Sequence, residues 1–173
     1  MNKKVLWITE TAVMIAVLVA LQAITKPMGQ FVTGSCVNLV LGISALVGGL
    51  WCGLTVALLS PFFAFIVGIG PAFLPIVPMV AVGNAVLVVL LYGLSGKKKL
   101  GVMSYVAVAV AAVAKFAALW LLIVKLVLPT LGLAEKQVAM LSASFSWPQL
   151  VTALIGGVLA ASIAPTIRKA LKK

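Results

Sequence analysis

The sequence contains no aspartate and no histidine, and its only acidic residues are Glu10 and Glu135. A metal centre of imidazole and carboxylate ligands therefore lacks its parts. Paired-carboxylate acid–base catalysis, including an intramembrane aspartyl protease, lacks a second partner. Carboxylate-based proton coupling in mid-membrane is missing too, because Glu10 falls near one end of the first apolar run and Glu135 in a polar stretch. No Walker-type phosphate cradle occurs, so the chain does not hydrolyse ATP itself. A Ser–Lys dyad would need a serine one helical turn from Lys115, and alanines and a leucine occupy those positions. The chain reads as a non-enzyme, and neither a cofactor nor a metal is expected.

Cysteine and charge are also scarce. Cys36 and Cys52 stand roughly 18–24 Å apart at a helical rise of 1.5 Å per residue, too far for a disulfide. Each is read as a small buried hydrophobe. Charged residues make up 9% of the chain and apolar residues 64%, against about 25% and 45–50% in soluble domains. Most apolar side chains must then face lipid or one another. The formal charge of +11 does not indicate nucleic acid. Nine of the thirteen basic residues form three clusters: Lys3 and Lys4; Lys97, Lys98 and Lys99; and Arg168, Lys169, Lys172 and Lys173. Each cluster flanks an apolar run, as the positive-inside pattern requires, and contact with anionic inner-leaflet lipid follows from it.

Apolar runs cover residues 5–23, 36–70, 76–94, 102–128 and 150–164. The first follows a basic start with no A-x-A-like exit site, and reads as a membrane helix rather than a cleaved leader. The second holds 35 residues, too many for one span. If the three basic clusters share the cytoplasmic side, this run must contribute an even number of helices. Two short helices turning near Gly48–Gly49 satisfy that parity. The expected fold is an all-α integral membrane bundle of six transmembrane helices in one domain, residues 1–173, with both termini in the cytoplasm. The spans are placed near 5–24, 36–48, 50–68, 75–94, 102–128 and 147–165. Outer loops then fall at 25–35, 68–75 and 129–146, where polar residues, Gly and Pro concentrate.

Lys115 sits near the middle of 102–128, where a cation costs several kcal/mol unless it finds partners or water. Its small neighbours Ala111, Ala112 and Ala118 suit helix packing, which turns Lys115 into the bundle. Without an acid at that depth, its partner is a carbonyl, a polar side chain, water or an anionic ligand. A ligand contact and a purely structural lysine both fit. Asn84 lies at similar depth, while Asn38 and Gln149 stand at the outer ends of the second and sixth helices. Such amides either bind a ligand or join helices. Trp120 and Trp147 either stack on a flat ligand or, for Trp147, anchor at the membrane interface. The N-termini of the second, fourth and sixth helices open outward and favour anions there. Ala12, Ala16 and Ala20 form a small-residue ridge on the first helix, suited to close approach inside the bundle or against another subunit.

These features together resemble the substrate-binding S components of energy-coupling factor (ECF) vitamin transporters. The resemblance spans nearly the whole length and rests on the small six-helix layout, the basic cytoplasmic ends and two motifs. Ala12-Val-Met-Ile-Ala16 is similar to the Ala-x-x-x-Ala motif with which that family contacts a transmembrane coupling subunit, and Ala20 extends it. The segment from Thr25 to Asn38 is similar to the family's lid loop. The resemblance implies capture of a vitamin or related micronutrient from outside, with two ATPase subunits of the complex supplying energy in a prokaryotic plasma membrane. The candidate ligand residues are Lys115, Asn84, Asn38, Gln149, Trp120 and Trp147. They come from the physical reading and not from the resemblance. A ligand-free assembly scaffold resembling the rod-shape protein MreD, and a self-sufficient facilitator, are the alternatives.

Overall fold

The computed structural model describes residues 3–95 and 101–171. The basic cluster at Lys97, Lys98 and Lys99, together with Lys172 and Lys173, lies outside the described residues. Helix α1 covers Lys3–Thr25, α2 Gln30–Leu46, α3 Leu50–Ile66, α4 Ile76–Leu94, α5 Val102–Leu119, α6 Glu135–Ser144 and α7 Trp147–Ala170. No strand occurs among the described residues. α5 runs on through a π-helical stretch, Trp120–Val127, and a final 3-10 turn, Leu128–Thr130.

Four of these segments are long and apolar enough to cross a bilayer: those containing α1, α4, α5 and α7. The remaining two long helices, α2 and α3, are apolar and have 17 residues each. At 1.5 Å per residue that is about 25 Å, near the lower limit for a span. The long apolar run between 36 and 70 is thus broken into two helices. Gly49 makes the break with φ of +88°, a backbone conformation in which an L side chain is strained.

α2 is the central helix and packs most extensively along α7, with α1, α3 and α4 also against it. Small residues permit the α2–α7 approach. Gly156 of α7 lies against the carbonyl of Ser35, and a Cβ on Gly42 would collide with Ala160. The main core includes Leu41, Ala45, Val56, Leu87, Val108 and Ala153. α1 is peripheral. Its buried positions are Thr11, Leu18 and Thr25, whereas Ala12, Ala16 and Ala20 are exposed on the opposite side.

Two expected outer loops are partly helical. α2 starts at Gln30, within the stretch 25–35, and α6 occupies most of 129–146. The polar residues of these segments had argued for loops, but their side chains are satisfied within helices. Thr33 Oγ1 donates to the carbonyl of Thr25 over 2.8 Å, and Gln137 Oε1 accepts from the backbone N–H of Ala134 at the start of α6. α6 is also amphipathic, with Val138, Leu141 and the following Phe145 packed on a second core of Ile76, Leu119, Ile123 and Leu128. At the third connection, Ile69 and Gly70 fold back so that both backbone N–H groups donate to the carbonyl of Ala64, over 2.9 and 2.8 Å.

Candidate functional site

One end of the bundle encloses a cavity of about 460 Å³, within the 300–1,000 Å³ typical of small-molecule sites. It is formed by the C-terminal parts of α1, α3 and α5 and the N-terminal parts of α2, α4 and α7. The N-terminus of α1 and the C-terminus of α7, with Lys4, Arg168 and Lys169, lie at the other end by connectivity. Three helix N-termini therefore converge on the cavity end, where their dipoles favour negative charge.

The cavity contains three polar side chains that long-range folding brings together. Lys115 of α5 donates through Nζ to Asn38 Oδ1 on α2 over 2.6 Å and to Asn84 Oδ1 on α4 over 2.7 Å. All three are buried, with Lys115 only 2% exposed, and all three line the cavity. An ammonium carries three N–H donors, and these bonds use two. Because both amides turn their oxygens to the ammonium, both Nδ2 groups are oriented away from it. Asn38 Nδ2 donates to the carbonyl of Gly34 over 2.8 Å and lies 3.4 Å from Thr152 Oγ1. On α3, Ser60 also lines the cavity, and its buried hydroxyl has no hydrogen-bond partner among the described residues.

Above this polar base lie Leu18, Val37, Pro61, Ala64 and Val80, then a polar rim of Gln22, Lys26, Gln30, Ser144 and Gln149. The rim is tied together. Lys26 Nζ donates to the carbonyl of Gly68 over 2.8 Å. The amides of Gln30 and Gln149 both donate to the carbonyl of Ser144 at the end of α6, the latter over 3.2 Å. The charged side chains lining the cavity are Lys26 and Lys115, with no carboxylate among them.

Of the residues singled out in the sequence, Lys115, Asn84, Asn38 and Gln149 share this cavity. Trp120 and Trp147 do not line it. Lys125 Nζ stands 4.7 Å from the Trp120 ring, a cation–π contact within the π-helical stretch, whose i→i+5 hydrogen bonding brings residues five apart close together. Trp147 is 59% exposed and its ring centroid is 5.4 Å from that of Phe31. The aromatic residue that does line the cavity is Phe145. Sequence reasoning passed over Gln22, Lys26, Gln30, Thr33 and Ser60. Gln22 alone carried a usable cue, a polar side chain within an apolar run.

Fold and cavity define a multi-pass membrane protein with a polar, cation-containing chamber at one end of a helical bundle. The family model "ECF transporter, substrate-specific component" matches residues 8–168. The chain belongs to this family, a family of transporter components rather than enzymes. Membership implies a small-molecule substrate and partnership with the transmembrane and ATPase modules of an ECF transporter. No match was found among curated proteins or solved structures.

Proposed function

We propose that this subunit captures a small anionic or carbonyl-rich micronutrient from outside a prokaryotic cell and delivers it to its partner modules for ATP-driven import. One observation carries the reading: a cavity at one end of the bundle lined by buried Lys115, bridged to Asn38 and Asn84. The base is rich in donors. It offers the remaining ammonium N–H and the Asn84 amide. A ligand that accepts hydrogen bonds satisfies groups that are otherwise expensive to bury. Phe145 and the aliphatic belt suit an apolar middle portion of that ligand.

The orientation belongs to the same proposal. With Lys4, Arg168 and Lys169 on the cytoplasmic side, both termini are inside and the cavity opens outward. The exposed ridge of Ala12, Ala16 and Ala20 then serves as the contact with the coupling subunit, while α2 and α3 complete a six-span single domain.

The test is mass spectrometry of small molecules released from protein purified out of its native membrane, followed by calorimetry with the compound found. A released acceptor-rich molecule that rebinds at low concentration supports capture. No released molecule under any growth condition would instead favour the ligand-free scaffold, and uptake by vesicles holding this chain alone would favour a facilitator.

A further inference from the structure

The cavity has a charge imbalance that the protein itself does not correct. Its two charged lining residues are both lysines, and no carboxylate lines it. Glu10 lies in the first half of α1, and Glu135 is exposed at the start of α6. Lys115 is bonded to two neutral amide oxygens, which solvate a cation without neutralising it. An uncompensated ammonium at membrane depth costs several kcal/mol. The wall also carries Asn84, whose amide can donate to an anion, and Ser60, whose buried hydroxyl has no hydrogen-bond partner among the described residues.

We infer that the Lys115 pocket is a small-anion site that holds a halide in the absence of the organic ligand, so that ligand capture is an anion exchange. The inference rests on the ligand-binding reading of the cavity and narrows it. The part of the ligand seated at Lys115 is an anionic group, such as a carboxylate, because only negative charge displaces a halide from an ammonium at no electrostatic loss. Neutral carbonyl compounds and cations are disfavoured there. Chloride competes with the ligand: at a chloride concentration about ten times its own Kd, the apparent ligand Kd rises about tenfold by mass action.

The experiment needs no knowledge of the organic ligand. Thermal unfolding of the purified, ligand-free subunit is followed as potassium chloride or bromide is titrated into a low-salt zwitterionic buffer that contains no carboxylate, with the two variants below as controls for general salt effects. The expected result is a saturable rise in Tm with either halide. Two variants report on location. K115M removes the cation. N84D is close to isosteric and supplies a carboxylate at the site of an existing 2.7 Å contact with Lys115, giving the ammonium an internal counter-ion. The halide response should vanish in both, and N84D keeps the test valid if K115M fails to fold. Absence of a halide response in the wild-type protein, or a response of undiminished size in N84D, overturns the inference. Either failure leaves the release of a micronutrient from native protein as an independent question, so the two readings fall separately.

Discussion

Lys115 and Asn38 stand 77 positions apart in the chain, yet Nζ of one lies 2.6 Å from Oδ1 of the other. Asn84 completes the bridge from a third helix at 2.7 Å. One side chain thus joins α2, α4 and α5 beneath the cavity. It braces three helices and also lines the cavity, so the structural placement does not exclude the ligand contact proposed above.

Replacing Lys115 with Met separates those roles. Ligand affinity should fall by about 1.5–3 kcal/mol, roughly ten- to hundredfold, the scale of one charge-assisted hydrogen bond. Calorimetry with the released compound reads this directly. Thermal stability should change less than the removal of a helix contact would suggest. Two amide oxygens lose a donor at about 1–3 kcal/mol each, while the cost of burying a cation disappears. Unchanged affinity would make the lysine a brace alone.

Gly156 tests how closely α7 must approach α2. A Cβ there would press on the carbonyl of Ser35 and come within 2.7 Å of Asn38 Cβ, and backbone cannot swing aside as a flexible side chain can. Gly156→Ala should destabilise the bundle by about 1–3 kcal/mol and weaken ligand binding, because the displaced segment carries Asn38. Gly93→Ala is the control, since nothing among the described residues lies within 4 Å of its added methyl. That variant should melt at or slightly above the wild-type temperature.

The exposed alanines of α1 predict a partner effect without a ligand effect. Ala12→Trp or Ala16→Trp should abolish co-purification with the transmembrane coupling subunit, since bulk prevents close helix approach. Ligand binding by the isolated subunit should survive, because these side chains point away from the bundle and do not line the cavity. Intact assembly in both variants would place the contact elsewhere.

Cysteine labelling checks the orientation. With Cys36 and Cys52 replaced, single cysteines at Gln30 and Glu135 should react with an impermeant reagent from outside. Those at Lys98 and Lys172 should react only after permeabilisation. Outside labelling at Lys98 would invert the assignment made from the basic clusters.

The helical architecture was largely legible from one-dimensional features. Apolar run lengths located the long helices, and Gly48–Gly49 marked the break between α2 and α3 because a glycine there reaches the left-handed region. The early start of α2 and the presence of α6 were not legible. Polar residues in the outer segments were read as loop, whereas at the mouth of a polar cavity they are helical residues with partners. Aromatic type alone also did not show which rings line the cavity. Trp147 could be seen as a stacking residue or an interface anchor, and only the rotation of α7 turned it outward against Phe31.

The sequence by itself determined that this chain belongs in a bilayer, that its basic residues cluster beside the apolar runs, that its only acids are Glu10 and Glu135, and that a central lysine has no acid near it along the chain. Each of these is a property of contiguous residues or of composition, because transfer into lipid sums along the chain. Tertiary structure alone decided that Lys115 meets Asn38 and Asn84, that Ser60 and Lys26 share their cavity, and that Gln30 and Gln149 close on Ser144. Those meetings depend on how far each helix is rotated about its own axis and how closely its neighbours approach. Small residues such as Gly42 and Gly156 set that approach through packing across the bundle, between residues more than a hundred positions apart.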